Sequence, residues 1–269
     1  MELSIVFDDA ELAALCDLLG ERIGRLGPSA LDGLTAAVRS DRLASARVAL
    51  FDRHVLVTTD GGETQVAVVV AKLVEILSRP LITVDIHMRE PGAGWAPHAS
   101  RLAAITEASV AHERVGGGNR LTPFATVDLL RRTASMSGLR SDITPAARSV
   151  TIDQRSLANA LNASSDAHIR GEIESGIADD HKDMVDELVV ALRGRGGAID
   201  IRTKPEDGWS YGVQLAWIVG PSGAWELPTH VTPLEGGPGD LKSGVPVTLE
   251  PVSGTQLLGM LVSVAEERG

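Results

Sequence analysis

The ten residues Leu121-Thr-Pro-Phe-Ala-Thr-Val-Asp-Leu-Leu130 recur, loosely, as Leu249-Glu-Pro-Val-Ser-Gly-Thr-Gln-Leu-Leu258, with Leu, Pro, Leu and Leu in register. In each copy a Leu-x-Pro closes one run and a helical pattern with Leu-Leu at its centre follows. The copies lie about half a chain length apart, and other segments pair in the same order. Ser4-Ile-Val-Phe-Asp8 with Leu12-Ala13 answers Ser149-Val-Thr-Ile-Asp153 with Leu157-Ala158. Leu73 to Leu77 before Val84-Asp85-Ile86 answers Leu188 to Leu192 before Ile199-Asp200-Ile201, and Trp95 and Trp209 each follow those strands. Colinear pairs over so long a period point to a duplicated unit and not to a solenoid repeat. The expected organisation is a first half over 1–140 and a second over 145–269, packed as one compact domain with a linker around 137–148.

Within each half the order reads helices, then strands, then a helix. Asp8 or Asp9 caps a first helix carrying Leu12, Leu15, Cys16 and Leu19, and Gly20 stops it. Leu31, Leu34 and Val38 begin a short second helix, and Ser40-Asp41 caps a third. Val66 to Leu77 holds three consecutive valines, but its length and the spacing of Val66, Val69, Leu73, Ile76 and Leu77 favour a helix. Ile82, Val84, Ile86 and Met88 alternate with polar residues as a half-buried strand, and Glu90 to Pro97 reads as a Gly/Pro loop. Leu102 to Val115 reads as one strand or two, Val115-Gly-Gly-Gly-Asn119 as a hairpin turn, and Phe124 to Met136 as a helix.

The second half restarts with Ser149 to Leu161. Two amphipathic helices follow over Ala167 to Ile177 and Asp179 to Arg193, and Gly194-Arg-Gly-Gly197 ends the second of them. Strands are expected over Ala198 to Arg202, Trp209 to Ile218 and Val245 to Leu249, with a Gly/Pro loop over 233–244 and a final helix over Thr255 to Glu266. This is an α+β pattern with a mainly antiparallel sheet.

Composition narrows the function classes. A net charge of −11 with no offsetting basic run disfavours binding to nucleic-acid phosphates. The densest apolar stretch, Val66 to Ile76, is interrupted by Lys72 and Glu75 and is too short to span a bilayer. The start of the chain has no secretory pattern, so a cytoplasmic location without membrane insertion is expected. The single cysteine, Cys16, forbids an internal disulfide and reads as a buried structural thiol.

Reactive constellations are missing from the pattern. The histidines are dispersed, Asp85 and His87 on one strand face make too small a metal set, and Asp179-Asp180-His181 reads as an acidic helix start. Gly116-Gly117-Gly118 lacks the Lys-Ser/Thr of a phosphate loop. No catalytic residue, cofactor site or metal site is assigned. Aromatic placement is uneven: Trp209, Tyr211, Trp217 and Trp225 are half of the aromatics and fall in one short stretch of the second half. They read either as the buried face of a sheet or as anchors of a docking surface.

The capped helix through Glu11-Leu12 and Leu18-Leu19-Gly20, then Leu73…Leu77-x-Arg-Pro80 before Val84-Asp85-Ile86, then Leu121-x-Pro123 with Leu129-Leu130, are followed by Arg148-Ser149-Val150 before Leu157, and by Val247-x-Leu249-x-Pro251 before Leu257-Leu258. This layout resembles the EspG family of actinobacterial type VII (ESX) secretion over essentially the whole chain. The resemblance implies a pseudo-two-fold α+β fold with a central antiparallel sheet and two helical bundles. It also implies a non-enzymatic cytosolic chaperone that masks the helical tip of a PE–PPE client and directs it to its ESX system.

Mapped by position, the implied client surface covers about 181–193, 209–218 and 254–266. The residues expected to bind are Trp209, Tyr211, Val213, Leu215, Trp217, Trp225, Met184 and Leu188. The loop Glu90 to His98 is shorter than is usual in that family. The alternatives are a chaperone for WXG100-like substrates, a small-molecule-binding protein or enzyme with a pocket between the halves, and a self-associating homodimer.

Overall fold

The computed structural model describes residues 3–24, 26–27, 29–90, 94–204, 211–228 and 243–266, without the side chains of 90–99, 211 and 264–266. The first half begins with β1 (Ile5–Phe7), α1 (Asp9–Leu19) and α2 (Ala36–Asp52). A small hairpin, β2 (Leu56–Thr58) with β3 (Thr64–Val66), precedes α3 (Val68–Ser78). Four strands follow, β4 (Ile82–Glu90), β5 (Gly94–Ala104), β6 (Ala108–Val115) and β7 (Gly118–Ala125), and α4 (Leu129–Met136) closes the half. The second half runs β8 (Val150–Asp153), α5 (Gln154–Asn162), α6 (Asp166–Gly176), α7 (Val185–Arg193), β9 (Arg195–Thr203), β10 (Tyr211–Gly220), β11 (Gly223–Glu226), β12 (Pro246–Pro251) and α8 (Gly254–Glu266). Apart from the β2–β3 hairpin, each half is a strand, three helices, four strands and a helix.

Ten of the strands are hydrogen-bonded in the order β1-β7-β6-β5-β4-β9-β10-β11-β12-β8. Read inward from either edge, this is the opening strand, then the fourth, third, second and first strands of the meander. The repeated Leu-x-Pro segments end β7 and β12, equivalent positions in that order, and a helix follows each. The duplicated α+β architecture with a mainly antiparallel sheet is therefore present.

The chain forms two compact units, one of Met1–Thr83, Ala99–Leu129 and Thr203–Ser210, the other of Val84–His98, Leu130–Arg202 and Tyr211–Gly269. In the first, Phe7, Leu12, Leu15, Leu50, Leu73, Val74 and Leu77 form a core with Ala103, Val110 and Leu121 of the strands. In the second, Ile169, Ile173, Leu188 and Leu192 of the helices pack on Val150, Ile152, Ala198, Ala216, Ile218, Trp225 and Leu249. The opposite face of those strands carries Ile199, Ile201, Leu215 and Trp217, and α8 covers it with Leu257 and Leu261. Strands covered on both faces lose simple alternation, which is why β9 is buried at six consecutive positions.

Local chemistry sets the boundaries. Asp8 caps α1 by accepting from the Glu11 N–H at 2.7 Å, while the Glu11 carboxylate accepts from the Asp8 N–H at 3.0 Å. Residues 34–52 do not split into two helices. Thr35 caps one continuous α2, and Ser40 and Asp41 lie exposed inside it, the Asp41 carbonyl accepting from the Ser45 hydroxyl at 3.0 Å. Val66 belongs to β3 and the three valines from Val68 open α3. Gly94 to Pro97 is strand, not loop, and β7 continues through Phe124, so the helix expected from there begins at Leu129.

Gly116 and Gly117 have φ of 56° and 82°. This left-handed pair makes the tight β6–β7 hairpin turn. Gly194 caps α7, but Arg195 to Gly197 already belong to β9. Gly197 is required there because the Trp217 ring lies on it, and an added Cβ would sit 2.4 Å from Trp217 Cζ2.

Candidate functional site

Each unit has one candidate place. In the second unit, Ile199 and Ile201 of β9, Val213 to Leu215 of β10, Glu226 of β11 and Met260 and Leu261 of α8 line a cleft of about 160 Å³. Register explains the lining: Glu226 is paired with Trp217 across β10–β11 and so shares its face. The cleft is smaller than the roughly 300 Å³ at which small-molecule sites begin and has the scale of one or two apolar side chains. In its wall α8 leaves Met260 39% exposed. Its polar wall is Gln214 and Glu226. Burial, then the neighbouring Glu250 carboxylate, raises the Glu226 pKa above the ordinary glutamate range, and the two face each other directly across β11–β12.

The expected binding residues fall into three groups. Val213 is half-buried and lines the cleft, as does Leu215, only 6% exposed. Trp217 is 2% exposed, packed on Gly197. Trp225 is fully buried on the helix-facing side with Met184 and Leu188, and its indole N–H donates to the Arg148 carbonyl at 2.9 Å. The accessible areas of Trp217, Trp225, Met184 and Leu188 therefore match the sheet-core reading of the aromatic stretch, not that of surface anchors. Trp209 and the Tyr211 side chain lie outside the described residues, as does the Trp95 side chain. Sequence reasoning passed over Met260, although its spacing of three residues from Leu257 on α8 carries the signal.

The second place is in the first unit. In β6 and β7, His112 is paired with Leu121 and Arg114 with Asn119, so all four point to the face beneath α1. Asp9, at the first turn of α1, is buried against them. Its carboxylate accepts from both Arg114 guanidinium nitrogens (the Nη2 to Oδ2 bond is 2.9 Å), from the Ala30 N–H and from Asn119 Nδ2 at 3.0 Å. Burial alone would raise its pKa, but the Arg114, Ala30 and Asn119 donors and the Arg114 charge outweigh it and hold Asp9 well below the usual carboxylate range. Its hydrogen bond to Asp9 in turn raises the Arg114 pKa.

Because Asn119 turns its NH₂ to the carboxylate, its Oδ1 is left to accept, and His112 Nε2 lies 2.9 Å from it. Burial lowers the His112 pKa, and the charges of Arg101 and Arg114 add to that. Neutral His112 is thus the Nε2–H tautomer, and its Nδ1 carries a lone pair with no hydrogen-bond partner among the described residues. A cavity of about 420 Å³ opens over this cluster, walled by Leu12, Ala13 and Cys16 of α1 and by Ile23, Leu26 and Leu31 of the segment after it. Burial, with Glu21 adding, pushes the Cys16 thiol up to about 11, where it stays protonated and a poor nucleophile. Asp9 is fully engaged as an acceptor and has no free lone pair for base catalysis. The cluster is built to hold and to recognise.

Among the described residues no group of three or more His, Cys, Asp or Glu is placed to share a metal ion, and no helix is long and apolar enough to cross a membrane. No family model matches the sequence, and no curated protein matches it.

Proposed function

We propose that the chain is a client-binding chaperone of the EspG type, not an enzyme. In this reading it covers the apolar tip of a helical PE–PPE client in the cytoplasm and delivers it to its ESX system. The observation that carries the reading is the small apolar cleft between β9, β10, β11 and α8, with exposed Met260 in its wall. An apolar recess sized for one or two side chains, with an exposed Met in its wall, is what a protein partner with a protruding Leu or Phe needs. The palindromic strand order and the repeated element order add support, since the resemblance in sequence implies such a duplicated sheet.

The docking residues in this account are Val213, Leu215 and Met260, with Tyr211 and Trp209 adjoining in sequence. A specific interface covers about 800 Å² on each partner, so the cleft is the centre of a wider patch. The net charge of −11 keeps a chaperone soluble while it carries an apolar load.

The test is co-expression with tagged PE–PPE pairs from the same host, followed by gel filtration. One pair should co-elute with the chain. Val213→Asp or Met260→Glu should abolish co-elution while leaving the far-UV circular dichroism of the free protein unchanged. Failure of every pair, or a complex indifferent to both substitutions, contradicts the proposal.

A further inference from the structure

We infer that the cavity beneath α1 is a binding site for a small organic anion with an apolar body and a hydroxyl group. The hydroxyl donates to His112 Nδ1, the body packs on Leu12, Ile23, Leu26 and Leu31, and the anionic end is drawn to Arg22 and Arg39.

The hydroxyl requirement comes from the chain of hydrogen bonds already traced. Asp9 fixes the Asn119 amide, Asn119 fixes the His112 tautomer, and what remains is one buried acceptor. His112 is 1% exposed and lines the cavity. A buried acceptor without a donor is costly, so a ligand O–H that reaches it gains more than the same group would in water. Leu12, Ala13, Ile23, Leu26 and Leu31 give the cavity apolar wall, which suits a hydrocarbon or aromatic body.

The anionic end follows from charge. Among the described lining residues, the ionisable acids are Asp9 and Glu21, against Arg22, Arg39 and Arg114. Asp9 is taken by Arg114 and Glu21 by Arg79 at 2.7 Å. Arg22 and Arg39 are exposed and have no ion-pair partner among the described residues. A cationic mouth on a protein of net charge −11 runs against the general field and selects for an anion.

The test of this site is independent of any client. The probe is para-hydroxyphenylacetate, whose phenol stays protonated at neutral pH because phenols titrate near pH ~10. The controls are phenylacetate, without the donor, and tyrosol, without the anion. Calorimetric titration of the full chain is expected to give saturable binding of the probe, with phenylacetate about tenfold weaker. In imidazole-detected NMR the His112 Nδ1 resonance should shift with the probe and stay in place with phenylacetate.

An Arg22→Gln, Arg39→Gln double variant alters only exposed side chains and is expected to fold. It should weaken the probe about fivefold and leave tyrosol unchanged. No saturable binding of the probe, equal affinity for phenylacetate, an unmoved His112 resonance at saturation, or an unaffected double variant would each overturn the inference.

Discussion

Replacing Asp9 by Asn is expected to destabilise the protein by about 3 kcal/mol at neutral pH, because it leaves the half-buried Arg114 without its counter-charge. The pH dependence follows from the direction of the shift. Asp9 has a folded pKa depressed below its unfolded value, so its contribution is present above the ordinary carboxylate range, about pH 4. It is lost as the pH falls through the depressed folded value. Urea unfolding at pH 7 and pH 3 should therefore show a larger gap for the natural protein than for Asp9→Asn.

Glu226 has the opposite sign. Its folded pKa is raised, so the stability it contributes is present below the unfolded value and is lost as the pH rises through the folded one. Glu226→Gln should raise stability at neutral pH by about 0.5 kcal/mol, since it removes a like-charge pair across β11–β12. Thermal melts at pH 7 and pH 5 would show the gain shrinking in acid. A cap at Asp8 or Asp9 was legible from their position before an apolar helical run, and the cap is Asp8. The role of Asp9 was not: it depends on Arg114 and Asn119, more than a hundred residues away, and nothing local distinguishes Asp9 from a second capping acid.

At the scale of elements, the strand β9 carries a glycine pair that sequence alone reads as a stop. Their place is fixed by Trp217 on the neighbouring strand, and Gly197→Ala drives a methyl group into the indole ring. The expected loss is about 2 kcal/mol, measured by denaturant unfolding and accompanied by a shift in tryptophan emission as the ring is displaced. The same tertiary dependence explains the other misplaced boundaries. Ser40-Asp41 looks like a cap, but the cap is Thr35, and both residues lie in the exposed interior of α2, where solvent satisfies them. Phe124 looks like the start of a helix, but its pairing with Ser109 holds it in β7. Where apolar spacing was long and local, as in α1 and α6, the element stood where the spacing put it, and α3 lost only its first turn to β3. Where a glycine, a cap or an aromatic answered to a distant partner, it did not.

At the scale of the whole molecule, the duplicated order of elements follows from the colinear pairs of segments, which are readable without coordinates, whereas the palindromic order of strands also needs β4 to pair with β9, which no segment pair announces. The face proposed for a client was readable only in part. Clustering of aromatics marks burial and docking alike, because both reward large apolar area. The buried Trp217 and Trp225 belong to the sheet core, and the groups proposed for docking are Val213 at the cleft and Met260 on α8.

The most direct measurement is hydrogen exchange of the chain free and saturated with the PE–PPE pair it retains. The account predicts added protection in peptides covering α8 and the start of β10, with α1 and α2 unchanged. Protection confined to α1, α2 and α3, with α8 and β10 exchanging as in the free protein, would contradict it.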